Sequence, residues 1–253
     1  MRYLLNGWVL LAGLTVVGVA SVLQAVILLL LLPSRTARIR SCILFARIVG
    51  HACTRLTGAR IELSGAEHLD PNRPAIYVVN HTSMLDLFVT LRIMPCGSVG
   101  VVKKEVIYYP FFGQLYLLSG HLRVDRGHHA AAVASMRSLG ALVRRAKLSI
   151  FLSPEGTRAR DGRLLPFKRG MAHLAIQTGL PIVPIVIRGA HRVMRSDSLS
   201  VSGGTIRVQV LPAMPTSHWS VERTTEATEE IHRVFREHLP EDQLPATAPA
   251  VAT

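Results

Sequence analysis

Ala75-Ile76-Tyr77-Val78-Val79-Asn80-His81-Thr82-Ser83-Met84-Leu85-Asp86 sets five apolar, mostly strand-forming residues directly against a polar turn and the start of a helical run. The same arrangement recurs along the chain. Ser98–Val102 leads into Lys103-Lys104-Glu105, Leu122–Val124 into Asp125-Arg126, and Ser149–Leu152 into Ser153-Pro154-Glu155-Gly156-Thr157-Arg158. Arg60–Leu63, Ile182–Ile187 and Thr205–Val210 complete the set of β-like runs. Between and after them Met84–Met94, Ala130–Lys147, Lys168–Gln177 and Val221–Leu239 have helical character. Gly179 and Pro181 stop the third of these, while Ser220 and Pro240 bracket the last. Alternation of this kind predicts an α/β domain over residues 59–239, with a central, mostly parallel sheet flanked by helices. Residues 240–253, rich in Ala, Pro and Thr from Leu244 onward, are expected to be a disordered tail.

Ahead of this domain the chain is of another character. Leu4 to Leu32 contains no charged residue and ends in five consecutive leucines before Pro33. As one helix it would reach roughly 43 Å against the ~30 Å of a bilayer's hydrocarbon core. Residues 1–33 therefore read as a membrane anchor, either spanning with a tilt or bent at Asn6-Gly7, Gly13, Gly18 or Gln24 into a re-entrant pair. The run is too long for a cleaved signal peptide and lacks a small-residue cleavage site. Arg35, Arg38, Arg40, Arg47, Arg55 and Arg60 all precede the first acid, Glu62. By the positive-inside rule this puts the domain on the cytoplasmic side. Within residues 34–58, Ile39, Ile43, Ala46, Gly50 and Cys53 share one helical face and Arg40, Arg47 and Arg55 another. That pattern predicts an amphipathic helix on an anionic leaflet, or a helix packed on the core.

Charge narrows the partners. The formal net charge is +13, and only four of the 29 basic residues are lysines, Lys103, Lys104, Lys147 and Lys168; the other 25 are arginines. Arginine's fork suits phosphate oxygens. An anionic partner is implied, and the apolar N-terminus selects lipid over nucleic acid, for which no stacking, helix-turn-helix or zinc-finger pattern is present. The three cysteines, Cys42, Cys53 and Cys96, lack metal or disulfide spacing and suit a reducing compartment.

If neighbouring strands run parallel, the four polar motifs lie at one rim, where open α/β sheets bind ligands. Five residues apart on one helix, His81 and Asp86 would diverge by roughly 140°. They meet only if His81 lies in the turn and Thr82 or Ser83 caps the helix that Asp86 begins. The carboxylate then fixes the imidazole tautomer and leaves the other nitrogen as a base. No G-x-S-x-G elbow is present, so the base would activate a substrate hydroxyl rather than an enzyme serine. A capping Asp beside a structural His is the competing reading. Pro154–Arg158 offers close backbone approach at Gly156, a hydroxyl at Thr157 and a donor fork at Arg158, a set suited to a phosphate monoester. The plainer alternative pairs Glu155 with Arg158.

These motifs resemble the 1-acyl-sn-glycerol-3-phosphate (lysophosphatidic acid) acyltransferase family of glycerolipid acyltransferases. Asn80–Asp86 matches its Asn-His-x-x-x-x-Asp, and Lys103-Lys104-Glu105 with Pro110 and Gly113 its basic segment. Val124-Asp125-Arg126 and Pro154–Arg158 match its second and third motifs, and Ile182-Val183-Pro184-Ile185-Val186 its fourth. The resemblance covers residues 60–210, with Ser153 and Ala159 departing from the family's usual Phe and Ser. It implies transfer of a fatty acyl group from acyl-CoA or acyl carrier protein to the sn-2 hydroxyl of lysophosphatidic acid, without metal or other cofactor. It also implies that His81 is the base and Asp86 its orienter. Lys104, Arg126 and Arg158 would hold the phosphate, and Glu155, Gly156 and Thr157 would shape the glycerol site. A lyso-ornithine-lipid or other lysophospholipid acceptor is the nearest alternative, and a non-catalytic lipid-binding protein the alternative of a different class.

Overall fold

The structure, a computed structural model, describes residues 2–108, 112–124, 129–195, 198 and 200–246. Two helices, α1 (Arg2–Leu30) and α2 (Arg35–Leu56), precede a seven-stranded sheet. Its strands are β1 (Ala59–Ser64), β2 (Ile76–Val79), β3 (Ser98–Lys103), β4 (Leu122–Val124), β5 (Ser149–Leu152), β6 (Ile182–Arg188) and β7 (Gly204–Val210). The remaining helices are α3 (Leu85–Ile93), α4 (Phe112–Ser119), α5 (His129–Ala146), α6 (Gly170–Thr178), α7 (Ala190–Val193) and α8 (Thr224–His238). The strand order is β1-β7-β6-β2-β5-β3-β4, and every pair is parallel except β6 with β7.

β2 lies in the middle of this sheet, and all four of its residues are buried. Its pleat sends Ile76 and Val78 to one face and Tyr77 and Val79 to the other. The first pair packs with Leu139 of α5, Leu174 of α6 and Phe235 of α8. The second packs with Leu85 and Val89 of α3 and Val193 of α7. A strand covered on both faces must be apolar throughout, hence the unbroken run Ala75–Val79. Register pairs Val78 with Leu152, Val79 with Ile185 and Lys103 with Val124, so the carboxyl ends of β2 to β6 share one rim.

The seven expected strands are all present. Two helices, α4 and α7, were not expected from the sequence. Where Ser220 was expected to cap a helix from Val221, the chain instead makes a turn of 3₁₀ helix at Val221–Arg223 before α8, without a capping bond from the Ser220 side chain. The segment expected to be a disordered tail is ordered at its start: Glu241–Gln243 is a 3₁₀ turn with Gln243 fully buried. Composition does not reveal that the Gln243 side chain fills a seam between the loop after β5 and the end of β6.

α1 is unbroken through Asn6-Gly7, Gly13, Gly18 and Gln24, so of the two alternatives the bent one is not adopted. It packs antiparallel to α2 through Ala20 and Leu28 against Phe45, Val49 and Cys53, and Gln24 donates to Ser41 Oγ (3.0 Å). At its start Asn6 donates to Ser200 Oγ (3.1 Å) and accepts from Val201 N (3.4 Å). In α2 the face expected to meet lipid is turned inward. Ile39, Ala46, Gly50 and Cys53 are buried against protein, while Arg40, Leu44, Arg47, Ile48 and Arg55 face out. Periodicity marks which face is covered and not what covers it.

The crossing of α2 over α3 depends on Gly50. A β-carbon there would lie 2.5 Å from Arg92 N and 2.8 Å from Phe88 O, both backbone atoms of α3. Alanine's higher helix propensity, about 1 kcal/mol, opposes an overpacking cost of about 1–3 kcal/mol, and rigid backbone neighbours place the cost at its upper end. Gly50→Ala is expected to lower stability by about 1–2 kcal/mol, read as an earlier denaturant midpoint in detergent solution.

Candidate active site

β2 ends at Val79, and the next residues turn sharply before α3. Asn80 closes the strand by binding the next one: its Nδ2 donates to Ile187 O (2.9 Å), and its Oδ1 accepts from Ile187 N (2.8 Å). His81 follows, with Nδ1 3.1 Å from Asp86 Oδ2. The same oxygen accepts from Thr82 N (2.6 Å) and Ser83 N (2.7 Å). Asp86 thus folds the turn back on itself. Of the two expected capping residues, Thr82 makes no such side-chain bond. Ser83 Oγ instead accepts from Leu85 N (3.1 Å) and donates to Met194 O (2.6 Å). Because a carboxylate only accepts, the His81 Nδ1 carries the hydrogen, and in the neutral ring Nε2 presents a lone pair. Asp86 is 1% exposed, whereas His81 is partly open to solvent.

Glu155 does not adopt the alternative pairing with Arg158. It is 2% exposed, and among the described residues its carboxylate forms no ion pair. Its Oε1 accepts from the backbone N–H of His81 (2.6 Å) and its Oε2 from Leu165 N (3.0 Å), while Ala159 N donates to His81 O (3.0 Å). The loop after β5 is therefore bonded to the His81 turn through main-chain groups. Gly156 has φ +73°, and the Lys168 stem lies 3.1–3.2 Å from where a β-carbon would stand. A side chain there would meet both backbone strain and the lysine.

The matches to known proteins agree with this geometry. A family model described as Acyltransferase matches residues 60–188. A 1-acyl-sn-glycerol-3-phosphate acyltransferase of Limnanthes douglasii is 42% identical over 230 residues, covering 91% of this chain and 81% of its own. A protein of the same name from Salmonella typhimurium is 31% identical over 195 residues, 76% of this chain and 79% of its own. The crystal structure of a 1-acyl-sn-glycerophosphate acyltransferase from Thermotoga maritima superposes with a TM-score of 0.74 at 21% identity, covering 94% of this chain and 98% of that one. The chain belongs to the 1-acyl-sn-glycerol-3-phosphate acyltransferase family.

In this acyltransferase the sheet brings several of the expected residues to one rim. Arg158 is half-buried beside the His81 turn, its Nη1 3.2 Å from Met84 Sδ, and among the described residues it forms no ion pair. Thr157 is exposed at the same edge, and Lys104 is exposed just past the end of β3. Arg126 and Asp125 lie outside the described residues, as does Pro110. Among the described residues, no three or more His, Cys, Asp or Glu side chains gather where they would hold a metal ion. Sequence reasoning missed Lys168, whose side chain crosses Gly156, and Ile187 and Leu165, which act through backbone atoms. Only Lys168 carried a readable signal, a cation just before an apolar helix.

Burial sets the proton state of Glu155. Removal from water pushes its carboxyl up from 4.5 to about 8, outweighing the two N–H donors that favour the anion. Between those values the folded chain holds a proton that the unfolded chain has released. Stability should therefore fall as pH rises from 4.5 toward 8, by at most about 1.4 kcal/mol per pH unit from this group. Glu155→Gln, which cannot ionise, should lose that slope and keep a nearly level contribution, read from denaturant unfolding at pH 5, 6, 7 and 8. A variant slope equal to that of the parent would show that Glu155 does not carry the proton.

Proposed function

We propose that this acyltransferase moves a fatty acyl group from an acyl thioester, acyl-CoA or acyl carrier protein, to the sn-2 hydroxyl of lysophosphatidic acid, giving phosphatidic acid. The observation that carries the reading is the single Asp86 oxygen that accepts from His81 Nδ1 and leaves Nε2 as the proton acceptor. His81 Nε2 takes the hydroxyl proton as the oxygen attacks the thioester carbonyl carbon. The tetrahedral adduct collapses, the carbon–sulfur bond breaks, and the imidazolium returns the proton to the departing thiolate. General-base help of this kind is typically worth ~10²–10⁴-fold. The step as written needs no metal or other cofactor. Arg158, Lys104 and Arg126 are assigned to the acceptor phosphate, and Thr157 and Gly156 to its glycerol. Glu155, out of reach of solvent, is assigned to the shape of the site rather than to contact with substrate.

The acceptor and the product are membrane lipids, and the hairpin of α1 and α2 suits that supply. Asn6 and Leu28 both touch the folded body across ~33 Å of helix, so α1 lies along the flank instead of projecting away. Trp8, Leu11, Leu14, Val22, Leu23, Val26 and Leu30 face outward along it. The outward face of α2 adds Leu44 and Ile48 among Arg40, Arg47 and Arg55. That combination fits a hairpin seated in an anionic leaflet on the cytoplasmic face.

Steady-state kinetics test the chemistry. His81→Ala and Asp86→Ala should each remove turnover from folded protein, and the double variant should be little worse, because groups acting as one unit are not additive. Arg158→Ala should lower kcat/KM for lysophosphatidic acid by about 10- to 150-fold with the donor's KM unchanged, and Arg158→Lys should restore part of it. A preference for lyso-ornithine lipid that Arg158→Ala leaves untouched would transfer the assignment to that acceptor. For the membrane, replacing Arg40, Arg47 and Arg55 together by Gln should weaken binding to anionic vesicles by about fivefold per residue at low salt, and less at high salt. Binding indifferent to both would refute the leaflet assignment.

A further inference from the structure

The segment after α8 makes contacts that the acyl-transfer reading has not used. Gln243 is 0% exposed. Its backbone carbonyl accepts from Leu164 N (2.8 Å), and the next amide, Leu165 N, is the donor to Glu155 Oε2. Its side chain reaches the other way, where Oε1 accepts from Gly189 N (2.9 Å) and Nε2 approaches Ile187 O (3.5 Å). Ile187 is the residue bonded at both N–H and C=O to Asn80. Gln243 therefore joins the loop after β5, which ends on the His81 amide through Glu155, to the end of β6, where Ile187 holds Asn80. Both neighbours anchor it: Asp242 pairs with Arg192 (2.5 Å) and His191 (3.5 Å), and Leu244 O accepts from Arg163 Nη1 (3.0 Å).

We propose that Gln243 is a positioning residue for acyl transfer, a buried clamp that holds the loop after β5 to the end of β6, the two supports of the His81 turn. The inference rests on His81 being the base. The residue type follows from the geometry. One group must accept from an amide and donate to a carbonyl, and it must span the gap between the loop and the strand end. Glutamate lacks the donor, and asparagine is one methylene short. Gln243 touches no substrate, so its loss acts on the orientation of His81 and not on binding. Misplacement of a reacting group by about 1 Å costs on the order of 100-fold in rate.

The test uses the full chain in detergent with lysophosphatidic acid and an acyl-CoA, comparing wild type, Gln243→Ala, the near-isosteric Gln243→Met and His81→Ala. Well below the unfolding temperature, both Gln243 variants should lose kcat by about 10- to 100-fold with either KM within about twofold, whereas a merely structural loss would lower the melting temperature alone. A folded Gln243→Met variant with kcat within twofold of wild type overturns the clamp while leaving the base in place. Activity in His81→Ala overturns the reading beneath it instead. Hydrogen exchange on the wild type covers the event that neither variant folds: the clamp requires the Leu164 and Gly189 amides, which donate to Gln243, to be protected, and exchange at unprotected rates refutes it.

Discussion

One carboxylate oxygen organises the part of this molecule that matters for chemistry. Asp86 Oδ2 accepts from the imidazole of His81 and from the amides of Thr82 and Ser83, at the point where the central strand stops and α3 begins. Buried amides in a tight turn need acceptors, and a carboxylate satisfies several at once. The same bonds that make the turn possible fix the ring of His81. Stability and orientation are thus one arrangement here, and the rest of the sheet serves to hold the turn at its rim.

A second carboxylate lies on the other side of that turn and has the opposite task. Glu155 is held by burial in its protonated range through neutral pH, so it joins two loops without placing an extra charge beside the site. Two acids flank one histidine, one bonded to its side chain and the other to its backbone. Their environments separate their roles. Arg158, without a carboxylate partner among the described residues, leaves its donors available at the rim.

The hairpin of α1 and α2 joins this site to its surroundings. α2 presses on α3 at Gly50, α1 is tied to Ser200 and Val201 near the Met194–Val201 bridge, and Met194 receives the hydroxyl of Ser83. The apolar helices are therefore continuous with the packing around the His81 turn and are not an appendage to it.

The sequence by itself determined much of this. Seven strands, the polar motif after each of four, and the His81–Asp86 pair were legible because central strands buried on both faces need unbroken apolar runs, because the outer β1 and β7 alternate, and because the turn has to follow the strand directly. Tertiary structure decided what local pattern does not encode. The apolar stripe of α2 is covered by α1 and α3, not by lipid. Glu155 sits in Pro154–Arg158, where the family resemblance implies a residue of the glycerol site, and it is turned inward onto the amides of His81 and Leu165. Gln243, in a segment whose composition suggests disorder, is the most deeply enclosed residue of its turn. The common reason is that these roles belong to backbone donors and acceptors far away in the chain. A main-chain N–H has the same sequence signature everywhere, and only the fold determines which buried side chain it meets.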